Sequence, residues 1–221
     1  VYQRSLLTEL GGPRVGYEGA QDYDLALRAV DVLQPEHIGH LPHVLYHWRV
    51  TPGSTAGGHQ EKSYAFLAGQ RALEDHLKRR GLNGHVEEAP EAPGMYRVCW
   101  HLPSDAAPLV SIIIPTRNGE RLLRMCLDTL KQTTYAAYEV VVVDNGSDDA
   151  ATLALMVERE AGGQIRVLRD DSPFNFSALN NRAVRTVARG EFVLLMNNDI
   201  EITHPNWLSE MVGLALEPGV G

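Results

Sequence analysis

From residue 109 onwards, short runs rich in Val, Ile and Leu alternate with segments of helical periodicity. Between the first two runs, Leu123, Cys126, Leu127 and Leu130 have the three- and four-residue spacing of one helix face. Such alternation is typical of a parallel sheet, whose strands are buried on both faces. This half is therefore predicted to be α/β, a Rossmann-like parallel or mixed sheet flanked by helices. The predicted strands are 110–114, 139–143, 165–168 and 192–196, with a helix at 175–188.

Polar residues follow three of these strands at the point where each strand ends. Thr116 and Arg117 follow the first, Asp144 ends the second, and Asn197-Asn198-Asp199 follows the fourth. Each cluster alone is equally typical of a turn. Because the carboxyl ends of parallel strands meet at one edge, where ligands bind, the three together predict a nucleotide site. A carboxylate such as Asp199 can hold Mg²⁺ or Mn²⁺ at this edge.

The loop after the second strand leads into a predicted helix. Ser147 is predicted to cap this helix, with Asp148 and Asp149 in its first turn. The sequence has no Gly-x-Gly-x-x-Gly or Walker-type loop, so a dinucleotide or P-loop site is not supported.

The first hundred residues have a mostly helical pattern, with helices predicted at 4–10, from about residue 22, and at 61–80. Asp22 lies in the first turn of the second helix, where a carboxylate compensates the helix dipole. It could instead be a general base presented at a loop–helix junction. Its spacing alone favours the first interpretation.

Four histidines lie between residues 37 and 47: His37, His40, His43 and His47. If a strand follows Pro42, His43 and His47 share one face of it. A zinc cluster lacks support here, since no Cys-x-x-Cys or His-Glu-x-x-His motif accompanies them. Single metal ligation or a phosphate contact by His47 is the preferred interpretation.

Residues 82–107 are rich in proline and contain one strand-like run, 95–102. We interpret this segment as a linker between two domains, at 1–81 and 108–221.

Charge and composition narrow the possible partners and compartment. The formal net charge is −8, which argues against nucleic-acid binding because phosphate contacts need clustered Lys and Arg. Two cysteines are typical of a reducing compartment, and no apolar run reaches the roughly 20 residues that cross a bilayer. We therefore expect a cytoplasmic protein.

Three ordered motifs carry a family resemblance: Ser111 to Asn118, Glu139 to Ser147, and Leu194 to Asp199. Together they resemble the nucleotide half of a family 2 glycosyltransferase. The resemblance implies a GT-A fold, a nucleotide-diphosphate sugar donor, and Mn²⁺ or Mg²⁺ as cofactor. Asp199 matches the metal-binding Asp of the Asp-x-Asp element, and Asn197 replaces its first Asp. His47 is a second candidate metal ligand. The implied nucleotide-binding residues are Pro115, Thr116, Arg117, Asp144, Ser147, Asn180 and Asn198.

The first half resembles the acceptor half of the same kind of domain, through Gly19 to Leu25 and Leu45 to Arg49. The resemblance makes Asp22 the catalytic base, although Gln21 replaces the usual Glu before it. Since the acceptor half comes first, we expect a fragment of a tandem enzyme: the end of one domain, a linker, and the start of the next. The two halves could form two half-sites, or dock on each other like a circular permutant.

The resemblance implies an inverting transferase that moves a sugar to a polysaccharide or glycolipid acceptor. The parent protein is expected to associate peripherally with the inner face of the cell membrane. A non-catalytic nucleotide-binding or scaffolding module is the alternative, and turnover by the full-length parent distinguishes the two.

Overall fold

A computed structural model describes residues 1–47, 63–102, 107–217 and 219–220. The chain divides into two compact units, Val1–His101 and Leu102–Gly221.

The second unit alternates strands and helices, as predicted. Its strands are β3 (Val110–Thr116), β4 (Tyr138–Asp144), β5 (Arg166–Arg169) and β6 (Phe192–Leu195), and its helices are α4 (Glu120–Leu130), α5 (Ala150–Ala161), α6 (Phe176–Thr186) and α7 (Trp207–Ala215). The strands form one sheet in the order β5-β4-β3-β6, and every neighbouring pair is parallel. The predicted α/β class is confirmed.

The core of this unit lies on both faces of the two central strands. On one face, Ile112, Ile114 and Val142 pack with residues of α4, α5 and α7, and all three are fully buried. On the other face, Ile113 and Val141 pack with α6. Each fully buried aliphatic side chain contributes about 1.5–3 kcal/mol. Burial on both faces explains the continuous apolar runs at 112–114 in β3 and 140–143 in β4.

The sequence predicts that strand β6 is buried on both faces of the sheet, and this prediction is wrong for one face. Among the described residues β6 is the last strand of its sheet, and Val193 and Leu195 are 40% and 52% exposed. The cause is the position of α6, which packs on β3 and β4 and leaves the same face of β6 uncovered.

The cap of α5 also differs from the prediction. Asp149, not Ser147, is the N-cap, and its Oδ2 accepts hydrogen bonds from Thr152 N at 2.8 Å and Thr152 Oγ1 at 2.6 Å. Ser147 has another partner, because its Oγ accepts a hydrogen bond from Asn118 N at 2.8 Å.

The first unit holds α1 (Arg4–Glu9), α2 (Gln21–Val32), a 3₁₀ turn (Pro35–His37) and α3 (Ser63–Arg80), followed by β1 (Gly84–Glu88) and β2 (Tyr96–Trp100). The two strands pair as an antiparallel hairpin. The expectation of one strand between 82 and 107 is therefore corrected to two. Both belong to the first unit, whereas the proposed domain boundary itself stays a prediction.

A buried carboxylate organises the helices of this unit. Asp24 is fully buried on α2 and accepts hydrogen bonds from Arg14 Nε at 3.1 Å and Arg28 Nε at 2.9 Å. Burial alone would raise the pKa of Asp24, but the two guanidinium groups outweigh it and lower that pKa. Arg28 also donates to Leu10 O at 2.6 Å and Gly12 O at 2.7 Å, which satisfies carbonyls at the end of α1.

None of the helices in the described ranges combines the length and the apolar character needed to cross a bilayer.

Candidate functional site

The strand register brings three polar clusters to one edge of the sheet. Thr116 is the register partner of Asp144 across β3 and β4, and Ile113 is the partner of Leu195 across β3 and β6. The residues that follow Leu195 therefore leave the sheet at the edge where β3 and β4 end. Asn198 Nδ2 donates a hydrogen bond to Thr116 Oγ1 at 2.9 Å, which connects the turn after β6 to the end of β3.

Asp144 is the most enclosed acidic group of this edge, with 1% of its surface exposed. Its Oδ1 accepts a hydrogen bond from Ser147 N at 2.9 Å, and its Oδ2 forms an ion pair with Arg169. Arg169 also donates to Ser147 O at 2.9 Å, so it ties the end of β5 to the loop after β4. The hydrogen bond to Asp144 raises the pKa of the Arg169 guanidinium.

Arg169 was missed in the sequence because the third strand was expected to end at Leu168. The structure extends this strand to Arg169, which is the register partner of Asp144. The other clusters were identified as polar residues at the ends of strands. Arg169 also lies at the end of a strand and fits the same criterion.

The loops after β3 and β4 are joined by the side chain of Asn118. Its Oδ1 accepts from both Asp148 N and Asp149 N at 3.0 Å, and its backbone has a φ of 55°. Asn tolerates this left-handed conformation better than most residues. Asn118 N also donates a hydrogen bond to Ser147 Oγ, and these three hydrogen bonds connect the two loops.

Thr116 has its hydroxyl engaged within this framework. It is 5% exposed, donates to Asn118 O at 3.2 Å and accepts from Asn198 Nδ2. Pro115, which precedes Thr116, is half-buried, and Arg117, which follows it, is exposed.

Asp199 is exposed in the turn that follows β6. Beneath this turn, Cys126 is buried and its Sγ lies 3.9 Å from Asn197 O. Burial, and then the charge of Asp199, raise the pKa of the Cys126 thiol to about 11, which keeps it neutral.

A divalent metal fits Asp199 as a single protein carboxylate. Among the described residues, Asp199 belongs to no group of three or more His, Cys, Asp or Glu ligands. Mg²⁺ in nucleotide sites commonly takes one or two carboxylates and completes its shell with water and phosphate oxygens. The exposed Asp199, next to amide side chains, suits a metal that takes one protein carboxylate and fills its other positions with water and phosphate oxygens. It does not suit a metal site built from protein ligands alone.

Asn180 lies on α6 and is 3% exposed. Its Nδ2 donates to Phe176 O at 2.8 Å, and its Oδ1 is buried without a hydrogen-bond partner. Asn145, next to Asp144, resembles it: Nδ2 donates to Asp170 O and Ser172 O at 2.9 Å, while Oδ1 is buried without a partner. Within the described ranges, these two buried amide oxygens have no protein partner, and that of Asn145 lies directly after the end of β4.

Asp170 anchors the start of the loop that leads from β5 to α6. Its Oδ1 accepts from Ser172 N at 3.0 Å, and its Oδ2 lies 2.8 Å from Arg182 Nη1 on α6. The Ser172 hydrogen bonds, followed by that of Arg182, lower the pKa of Asp170 to about 2.

In the first unit, Asp22 is exposed in the first turn of α2. Its Oδ1 accepts a local hydrogen bond from Tyr23 N at 2.9 Å. The N-cap of α2 is Ala20, so Asp22 is not the capping residue. Asp22 and Asp24 thus differ: Asp24 is buried in ion pairs, whereas Asp22 presents its carboxylate to solvent.

His47 is exposed, and the described residues 41–47 form no strand, so the conditional pairing of His43 and His47 on a strand face does not apply. Trp48 and Arg49 of the same motif lie outside the described residues.

A family model described as glycosyl transferase family 2 matches residues 111–221. The whole chain is similar to the uncharacterized protein y4gI of Sinorhizobium fredii (strain NBRC 101917 / NGR234), with 49% identity over 224 residues that make up 24% of that protein. It is also similar to the O-antigen biosynthesis protein RfbC of Myxococcus xanthus, with 40% identity over 222 residues, or 17% of that protein. The chain therefore spans less than a quarter of either relative.

Among solved structures, the chain is similar to the mannosyltransferase PcManGT of Pyrobaculum calidifontis in complex with GDP-Man and Mn²⁺. The TM-score is 0.46 at 28% identity, and the match covers 54% of this chain and 37% of the other.

Proposed function

The chain belongs to glycosyltransferase family 2, and from this premise we propose that its second unit binds the nucleotide diphosphate of a sugar donor. The observation that carries the proposal is the meeting of Thr116, Asp144 and the Asn197–Asp199 turn at one sheet edge. Ligands of open α/β sheets bind at this edge, and Thr116 and Asp144, which end β3 and β4, are positioned more accurately than groups on free loops.

In the proposed site, Asp144 accepts a hydrogen bond from an N–H or O–H of the nucleoside, and Arg169 balances its charge. A hydrogen bond to a charged group contributes about 1.5–3 kcal/mol. The remaining proposed nucleotide contacts are Pro115, Thr116, Arg117, Ser147, Asn180 and Asn198.

Asp199 is the proposed ligand for Mn²⁺ or Mg²⁺, with the diphosphate supplying further oxygens. When bound, the metal supplies positive charge beside the diphosphate as it leaves. His47 is a second proposed metal ligand, and it belongs to the first unit.

Asp22 is the proposed catalytic base of an inverting transfer. It accepts the proton of the acceptor hydroxyl while that oxygen bonds to the anomeric carbon and the bond from this carbon to the diphosphate oxygen breaks. Its exposed carboxylate supports this role, since Asp24 is already engaged by two guanidinium groups.

We propose a polysaccharide or glycolipid acceptor, supported by the Myxococcus relative that is named for O-antigen biosynthesis. The proposed setting is the inner, cytoplasmic face of the cell membrane. We further propose that the two units derive from successive domains of a tandem enzyme. In that arrangement Asp22 and Asp199 serve different active sites.

The nucleotide site is tested by titration calorimetry of UDP, GDP and dTDP, with and without Mn²⁺. We expect heat with at least one nucleotide and tighter binding with metal. Asp144→Asn should weaken binding about 10–100-fold, the equivalent of one charged hydrogen bond. Asp199→Asn should remove the effect of Mn²⁺ and leave metal-free binding intact.

Glu158→Gln is the control, because Glu158 is an exposed carboxylate of the same unit on α5. If none of the three nucleotides binds the folded protein, the proposed site is wrong. Equal losses in Glu158→Gln and Asp199→Asn would show a general charge effect.

A further inference from the structure

The hairpin of the first unit gathers a second set of metal-ligating side chains. Antiparallel pairing places His85 opposite Cys99 and Glu87 opposite Arg97. Residues two apart on a strand share a face, so His85, Glu87 and Cys99 lie on one face of the hairpin. One ligand atom from each of these three residues lies within 4.8 Å of the others.

We propose that this face binds Zn²⁺ through His85, Glu87 and Cys99. Nothing in the proposed sugar transfer requires this site, and it lies in a different unit from Asp199.

The chemistry of the three ligands selects the metal. Imidazole, thiolate and carboxylate are the three side chains that Zn²⁺ accepts, whereas Mg²⁺ and Ca²⁺ take oxygen ligands only. In a tetrahedral site, bonds of about 2.0–2.3 Å separate the ligand atoms by about 3.3–3.8 Å. The ligand atoms, which lie within 4.8 Å of one another, therefore need to approach by at most about 1–1.5 Å. Three protein ligands leave a fourth position for water.

The two nitrogens of His85 have separate partners. Its Nδ1 lies 2.8 Å from His101 Nε2, and the two ring centroids are 4.9 Å apart, so the rings meet edge to edge. Its Nε2 lies 3.9 Å from Glu87 Oε2. His101 therefore occupies Nδ1, and Nε2 is the nitrogen placed to bind the metal beside the carboxylate. A ligating histidine usually gives its other ring nitrogen to a carboxylate, a backbone carbonyl or water, and here His101 would fill that orienting role.

Glu87 divides its two oxygens in the same way. Oε1 lies 3.7 Å from Arg97 Nη1, while Oε2 faces His85. The Arg97 contact therefore lies on the oxygen that the metal does not need.

The opposite face of the hairpin holds it in place. Val86 is 3% exposed, and its carbonyl accepts a hydrogen bond from Gln70 Nε2 of α3 at 2.6 Å. Tyr96 Oη donates to Phe66 O, also on α3, at 2.9 Å. The proposed ligands thus stand on two paired strands backed by a helix, and the metal does not have to order the backbone.

The test uses the full chain without an affinity tag, stripped of metal, in a competition titration between Zn²⁺ and a chromophoric chelator. We expect one Zn²⁺ per chain. Cobalt substitution gives a second readout, since a thiolate ligand produces a sulfur-to-cobalt charge-transfer band. Cys99→Ser should abolish this band and reduce Zn²⁺ affinity more than 100-fold.

The His101→Ala variant tests whether His101 orients His85 or itself binds the metal. Loss of such a partner lowers metal affinity about 10–100-fold, and we expect the cobalt–thiolate band to persist. His40→Ala is the control, because His40 is an exposed histidine of the same unit outside the hairpin. Glu87→Gln, an isosteric change, provides a ligand variant if Cys99→Ser fails to fold.

The proposal is overturned if the wild-type chain binds no Zn²⁺ in this titration. It is also overturned if His40→Ala lowers the affinity as much as the hairpin variants do. Both outcomes are independent of nucleotide binding, so this site and the proposed function are tested separately.

Discussion

Gly190 lies in close contact with neighbouring backbone, where the chain enters β6 beside the start of β3. A Cβ atom at this position would lie 2.5 Å from Ser111 N, 2.6 Å from Phe192 O and 2.8 Å from Leu109 O. Gly190 N also donates to Ser111 Oγ at 2.8 Å, so the segment cannot move away without losing that bond. Gly190→Ala therefore pushes β6 away from β3.

The expected cost follows from the nature of the contacts. Overpacking costs about 1–3 kcal/mol when side chains can adjust. All three atoms here are backbone, so we expect the upper end, about 3 kcal/mol. In a unit of this size each kcal/mol lowers the melting temperature by about 3–5 °C, which predicts a fall of about 10–15 °C.

Differential scanning calorimetry of Gly190→Ala measures this fall, with Gly162→Ala as the matched control. A Cβ at Gly162, after α5, would meet its nearest neighbour at an ordinary 3.4 Å, so we expect little change. A melting temperature for Gly190→Ala within about 2 °C of the control would refute the steric argument.

Two further predictions concern single carboxylates. Because the pKa of Asp170 is lowered to about 2, its stabilising effect is complete above its ordinary value and is lost as the pH falls from about 4 towards 2. Asp170→Asn should therefore make urea-unfolding free energies less dependent on pH in this range, and an unchanged slope would contradict the assignment. Asp22→Asn should leave the melting temperature unchanged but abolish turnover by the full-length parent, since an amide does not accept the proton; near-normal turnover would exclude Asp22 as the base.

The sheet of the second unit was predictable because its central strands carry a strong signal. Residues 112–114 and 140–143 are β-branched, apolar and buried on both faces, which favours a parallel strand. Their ends were less predictable. Pro115 and Thr116 continue β3 because partners in β4 pair with them, and a single segment contains no information about its partner.

The features that the sequence did not predict depend on contacts between distant residues. Ser147 would cap α5 by local preference, but Asn118, from the preceding loop, takes its hydroxyl. Strand β1 has little apolar character, and it forms because β2 pairs with it and Val86 packs inward. The apolar run of β6 is equally typical of a strand with both faces packed against helices and of a strand with one face exposed. The position of α6 determines that one face of β6 is exposed.

The sheet order also sets the sequence in which the strands can assemble. Paired residues are 28 positions apart between β3 and β4 (Val110 and Tyr138), but 82 apart between β3 and β6 (Val110 and Phe192). Closing the longer loop costs about 1 kcal/mol more in chain entropy.

Because local pairing generally forms faster than distant pairing, we expect β3, β4 and β5 to associate before β6. In that order, Thr116, Asp144 and Arg169 come together before the turn with Asp199 reaches the sheet edge. The proposed nucleotide site would therefore gain its metal-binding side only after the other strands have paired.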